Sequence, residues 1–239
     1  MDRRRRVIVA GGETDSGMPC ARGLDVLKAA DGLPEGSASR SRLRREVLDL
    51  ARDEGLVEAA YSYRIVALDA PPGEWLRAGG EAFHAPWLLP ESGRLTALAC
   101  ASCTIGAGIE RRVASLVAAR RASRALALDQ LGNELLFEVS RIAQDRMLAD
   151  ARRRALTMAG ELRPGDPGLA LDAQAAVLRL ADAAAIGIEL NAGLLMRPHK
   201  STSMVLGVGI DLPAVSWSRC QHCRFRARCR HGAAVVAAA

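Results

Sequence analysis

Aromatic residues are scarce in this sequence: three Trp, two Tyr and three Phe make up 3% of 239 residues. That scarcity leaves a core to Ala, Leu and Val, and it argues against a platform of rings on which nucleobases stack. No apolar run is long enough to span a bilayer. The opening stretch MDRRRRVIVAGGETDSG is basic but offers only four apolar residues before two glycines, so it is not read as a signal peptide. There is no P-loop, no His-Glu-x-x-His and no Ser-His-Asp arrangement, which leaves nucleotidase and hydrolase readings without residues to rest on.

What the chain does contain is a globular balance, 49% hydrophobic and 25% charged, long enough for one large domain or two small ones. The net charge of +6 is spread along the chain, with Arg3 to Arg6 supplying much of the excess. A dispersed arginine excess reads as a solvated surface more than as a nucleic-acid face. With no export signal, the six cysteines are expected to be thiols or metal ligands in a reducing cytoplasm.

Residues 1–19 are expected to form a flexible arm, residues 20–212 a folded domain and residues 213–239 a cysteine-rich tail. Val7 to Ala10 has strand character, but Gly11, Gly12, Gly17 and Pro19 favour a loop. Helical spacing predicts a helix from Ala21 to Ala30 and a second from Ser37 or Ser39 to Ala60. Tyr61 to Leu68 alternates as a strand, and Trp75 to Pro90 reads as loops around a short extended piece. Leu95 to Gly106 is a second strand, running through glycines into a helix near Ile109-Glu110; backbone amides at such a junction are compatible with anion binding or with a plain helix start. A long helical zone follows from Glu110 to about Leu162, broken near Ala122-Ser123, and another helix covers Gln174 to Ala185.

Two stretches stand out. Arg163-Pro164-Gly165-Asp166-Pro167-Gly168 is a stiff loop presenting one Arg, suited to bidentate recognition of a carboxylate or to a plain connector role. Leu194 to Asp211 crowds Met196, Pro198, Lys200, Ser201 and Ser203 ahead of the glycine-punctuated apolar run Met204 to Gly209, which reads as a buried strand. In the tail, Cys220, Cys223 and Cys229 are spaced C-x2-C-x5-C, so that one turn brings three thiolates to one metal, zinc or an iron–sulfur cluster. His222, His231, Cys100 and Cys103 are candidate fourth ligands.

The order of these pieces, Thr104 to Glu110, LALDQLGNE from Leu126 to Glu134, RPGDPGLALDAQ, MRPHKSTSMVLGVG and the cysteine tail, resembles stand-alone proteins related to the activation domain of cobalamin-dependent methionine synthase. The similarity spans about the last two-thirds of the chain. It implies an α+β fold with a twisted, mainly antiparallel sheet and packed helices. It further implies that S-adenosylmethionine is bound and presented to an inactivated cobalamin carried by a corrinoid-binding methyltransferase or corrinoid protein, which is remethylated with an electron from a donor. On that resemblance Arg163 and the Gly165 backbone hold the S-adenosylmethionine, Asp129 and Asn133 or Glu134 lie on the helix facing it, and Pro198, Lys200 and Ser201 close the pocket. A different reading, a metal-stapled basic module that binds nucleic acid or a protein without enzymatic activity, rests on the tail alone. A third keeps the fold as a scaffold.

Overall fold

The computed structural model describes residues 6–9, 12–15, 20–31 and 38–213. The β-branched run before Gly11-Gly12 forms a hairpin, β1 (Arg6–Val9) against β2 (Gly12–Asp15). Where spacing predicts a helix from Ala21, the chain instead forms β3 (Cys20–Arg22), turns at Gly23 with φ of 67°, and starts α1 (Leu27–Asp31) afterwards. Ladder hydrogen bonds to a neighbouring strand outweigh local helix propensity there. The second predicted helix is α2 (Ala38–Asp53), which stops ahead of Gly55 and leaves Leu56 to Ala59 as a connection into β4 (Ala60–Ala67).

The region read as loops folds into a hairpin, β5 (Trp75–Ala78) against β6 (Glu81–His84). Gly79 and Gly80 both take positive φ, as a tight two-residue hairpin turn requires, and Leu76 and Phe83 bury one face. Next come β7 (Arg94–Thr104), α3 (Gly108–Ala118), α4 (Ala122–Arg153) and β8 (Thr157–Leu162). The helical zone therefore ends earlier than its apolar spacing suggests. Ala155, with φ of 55°, breaks the helix, and residues 157–162 pair as an edge strand. Then follow α5 (Gln174–Ala181), the short pair β9 (Glu189–Leu190) and β10 (Met196–Arg197), and β11 (Ser201–Ile210).

Five strands form one antiparallel sheet in the order β3-β4-β7-β11-β8. The last of the described strands, β11, fills the slot between β7 and β8. Helices α1, α2 and α4 cover one face, where β7 contributes only small side chains, Ala97, Ala99, Ala101 and Cys103. These let α4 lie close and bury Leu128, Leu131, Leu135 and Val139 against Met204, Leu206 and Val208. Each such side chain contributes roughly 1.5–3 kcal/mol by leaving water. The other face carries Leu98, Cys100 and Val205 under α5 and the β5–β6 hairpin. The fold is thus α+β with a mainly antiparallel sheet.

At its carboxyl-terminal end α4 is tied to β4 by a buried polar cluster. The Tyr63 hydroxyl donates to Asp150, which also accepts from Arg153, while Arg146 Nε lies 3.7 Å from the same carboxylate. Burial first, and then the hydrogen bond to Asp150, hold the Tyr63 hydroxyl well above the usual tyrosine range; burial raises Tyr61 as well.

A group whose folded pKa lies above its unfolded value stabilises the fold fully below the unfolded pKa, about 10 for tyrosine, and loses that contribution as pH rises beyond it. Urea unfolding should therefore show stability falling above about pH 10. Tyr63→Phe should cost about 1 kcal/mol at neutral pH and flatten the alkaline fall, with a residue of it left to Tyr61.

Candidate functional site

The insertion of β11 beside β8 sets the site. Leu162 pairs with Val205 and both face α5, so by the alternation of a strand Arg163 and Thr202 turn to the α4 side. Arg163 Nη1 donates to Thr202 Oγ1 at 3.1 Å, and its Nε donates to Glu161 Oε1 at 2.8 Å. The Arg163 side chain is only 11% exposed, and Glu161 faces its guanidinium with a second approach of 2.8 Å at Nη2. Two residues before Thr202, the Lys200 ammonium donates to Asn133 Oδ1 at 2.7 Å and sits 2.6 Å from Asp129 Oδ1. Asp129 and Asn133 are one helical turn apart and share a face of α4. Gly132 between them makes room, since a Cβ there would lie 3.3 Å from Lys200 Cε and 3.1 Å from Ile109 Cγ2.

Two polar groups, Arg163 with Glu161 and Thr202, and Lys200 with Asp129 and Asn133, thus follow one another at the start of β11. Other candidates stand elsewhere. Glu134, next to Asn133 but turned around the helix, pairs with Arg44 Nη1 at 2.6 Å and ties α4 to α2. Ser201 lies on the opposite face of the sheet, where its hydroxyl donates to Thr104 Oγ1 at 2.9 Å. The Gly165 amide is spent inside its own loop on the Leu169 carbonyl at 2.9 Å, and Asp166 closes that loop by accepting from the Arg163 amide. Pro198 belongs to the turn between β10 and β11, which is pinned where the His199 amide donates to Glu110 Oε2 at 2.8 Å. Trp87 packs under Gly168, whose φ of 85° and missing Cβ admit the ring.

Sequence reasoning passes over Glu161 and Thr202. Alternation along β11 carries a signal for Thr202, because a strand with Met204, Leu206 and Val208 facing the helices also turns Thr202 that way. Nothing local marks Glu161, which matters only through its spatial neighbour.

The amino terminus of α3 is closed in. Gly108 packs against the Leu56 carbonyl, where a Cβ would approach to 2.3 Å, and the first-turn Glu110 carboxylate receives the His199 amide. Cys100 and Cys103 are wholly buried on opposite faces of β7, and burial pushes both thiols up to about 12. For Cys103 the nearby Arg163 opposes that shift. Cys220, Cys223 and Cys229 lie outside the described residues. Among the described residues no group of three His, Cys, Asp or Glu could hold a metal ion, and no helix is long and apolar enough to cross a membrane.

Because Asp129 is 42% exposed, Lys200→Met should lower global stability by no more than about 1 kcal/mol. The same change should speed amide exchange at Ile105, which donates to the Lys200 carbonyl, and at His199, relative to the middle of β7.

No protein-family model matches the chain, and no curated protein matches it. Among solved structures, the crystal structure of the MetH reactivation domain bound to AdoHcy matches with a TM-score of 0.61. The match covers 83% of this chain and 80% of that chain, at 11% sequence identity. The α+β architecture that the order of motifs implies is therefore present, and this chain has the fold of the MetH reactivation domain.

Proposed function

We propose that this protein binds S-adenosylmethionine and acts as an accessory protein for corrinoid-dependent methyl transfer, supporting the reductive activation and remethylation of a partner methyltransferase of the methionine synthase type. The observation that carries this reading is the convergence of three segments distant in sequence, α4, the loop after β8 and the start of β11, on one junction with paired charges. The likeness in fold to a domain solved with AdoHcy gives that junction a ligand class to be tested against. Bound S-adenosylmethionine would supply a methyl group activated as a sulfonium. Arg163 would hold the carboxylate of its amino-acid end, Asp129 would place negative charge near the sulfonium, and Lys200 with Asn133 would keep the closing turn seated on α4.

The charge pattern favours this ligand class over a phosphate ester. Both cations of the junction already face a carboxylate, Arg163 with Glu161 and Lys200 with Asp129. A multiply charged anion would meet two negative groups there, whereas a ligand carrying charge of both signs meets partners for each. The cobalamin would be carried by the partner corrinoid protein, and the electron by a separate donor or by a centre held in the tail.

Titration calorimetry should detect S-adenosylmethionine and S-adenosylhomocysteine binding, and Arg163→Leu should weaken it about tenfold or more, the worth of a charge-assisted hydrogen bond. Absence of binding by the wild type would remove this reading.

We also propose that Cys220, Cys223 and Cys229 hold zinc or an iron–sulfur cluster. Anaerobically purified protein should contain one of the two, lost in Cys223→Ser. Brown colour with iron and sulfide would assign electron delivery to the tail, and colourless zinc would assign it a structural staple. Protein without metal would remove the proposal.

A further inference from the structure

Arg163 is one member of a pair, and the pair has a chemistry of its own. Its guanidinium is held on two sides, by Glu161 Oε1 at 2.8 Å and Thr202 Oγ1 at 3.1 Å, and is nearly buried. A guanidinium carries five N–H donors in one plane, and these contacts leave some of them without a partner among the described residues. Glu161, 28% exposed, is the more open of the two side chains. An ionised carboxylate accepts at two oxygens, and the contacts to Arg163 involve Oε1 alone. The junction therefore presents a cation with spare donors directly beside an anion with a spare acceptor. That is the complement of the two charged groups attached to the α-carbon of an amino acid.

Charge balance points the same way. Were Arg163 meant for a bare carboxylate, Glu161 would weaken it, because the ligand's charge would face a like charge next to the cation. Glu161 offsets the burial of the Arg163 cation in the free protein, and it adds to the affinity for a ligand where that ligand brings a positive group as well. The pair on Lys200 does not offer the same arrangement. Lys200 is held by both Asp129 and Asn133, and its backbone carbonyl anchors Ile105, so it seats the turn.

Resting on the reading of the preceding section, we propose that Glu161 receives the ammonium group of the ligand's amino-acid end while Arg163, oriented by Glu161 and Thr202, receives its carboxylate, so that the site selects nucleosides with an intact zwitterionic end. Glu161 is then a specificity-determining residue and Thr202 a positioning residue.

The test compares S-adenosylhomocysteine with its analogue lacking the α-amino group, each titrated calorimetrically into the full chain. Wild type should prefer the complete ligand by about tenfold or more. Glu161→Gln should weaken the complete ligand and strengthen the des-amino analogue, an opposite response to the two ligands that a merely structural role would not produce. Glu161→Asp should retain the preference, and it carries the test if Glu161→Gln fails to fold by circular dichroism: an Asp variant with no preference would then overturn the assignment. Thr202→Val should weaken both ligands alike. Equal loss of both ligands in Glu161→Gln, or no change in either, would overturn the role of Glu161 while leaving the proposed ligand standing. A wild type that binds neither would overturn both proposals together.

Discussion

The structure depends on β11 pairing simultaneously with β7 and β8. Its register joins it to two distant segments: Ser201 pairs with Thr104, 97 residues earlier, and Val205 with Leu162, 43 residues earlier. This pairing puts the Arg163 loop beside the Lys200 turn. It also completes the surface on which α4 rests, since Met204, Leu206 and Val208 share one cluster with Leu131, Leu135 and Val139. Core and candidate site are consequences of the same ladder.

Charge is handled consistently around that ladder. Arg163, Lys200 and Arg44 are each mostly removed from water, and each faces a carboxylate, Glu161, Asp129 and Glu134 respectively. Leaving any of these cations alone at such burial would be costly, and the pairs offset that cost while fixing side-chain direction. Around the exposed helices Arg112, Arg124, Arg141 and Arg179 are likewise engaged, with Glu54, Glu46, Glu138 and Glu81. Each of these four cations stands against a carboxylate, so their surroundings carry charge of both signs, as a solvated surface does.

Where sequence pattern and structure part, tertiary pairing is the reason. The residues 157–162 continue an apolar spacing that suits a helix, yet they form β8 because an open edge of β11 needed hydrogen-bond partners and Ala155 had already left helical geometry. The same competition turns Cys20–Arg22 into β3. In the hairpin β5–β6, single buried positions such as Leu76 and Phe83 carry too short an alternation to stand out against the surrounding glycines and prolines. The long elements were legible: α2, α4, β4, β7 and β11 each carry enough periodic residues to declare both type and buried face.

By itself the sequence determined these long elements, the stiff Arg163 loop, the placing of Asp129, Asn133 and Glu134 on one long helix, and the order of motifs that implies the fold. Spacing along a helix or strand decides which residues point together, and that information is local. Only the tertiary structure decided which of the neighbouring polar residues share the junction. Ser201 and Thr202 differ by one position and lie on opposite faces of the sheet; Asn133 and Glu134 differ by one position and face Lys200 and Arg44. Glu161 acquires its meaning from Arg163 and Thr202 together, and the meeting of the latter two is written in no spacing. It exists because β11 enters the sheet next to β8, a long-range choice made by backbone hydrogen bonding and by the burial of both sheet faces at once.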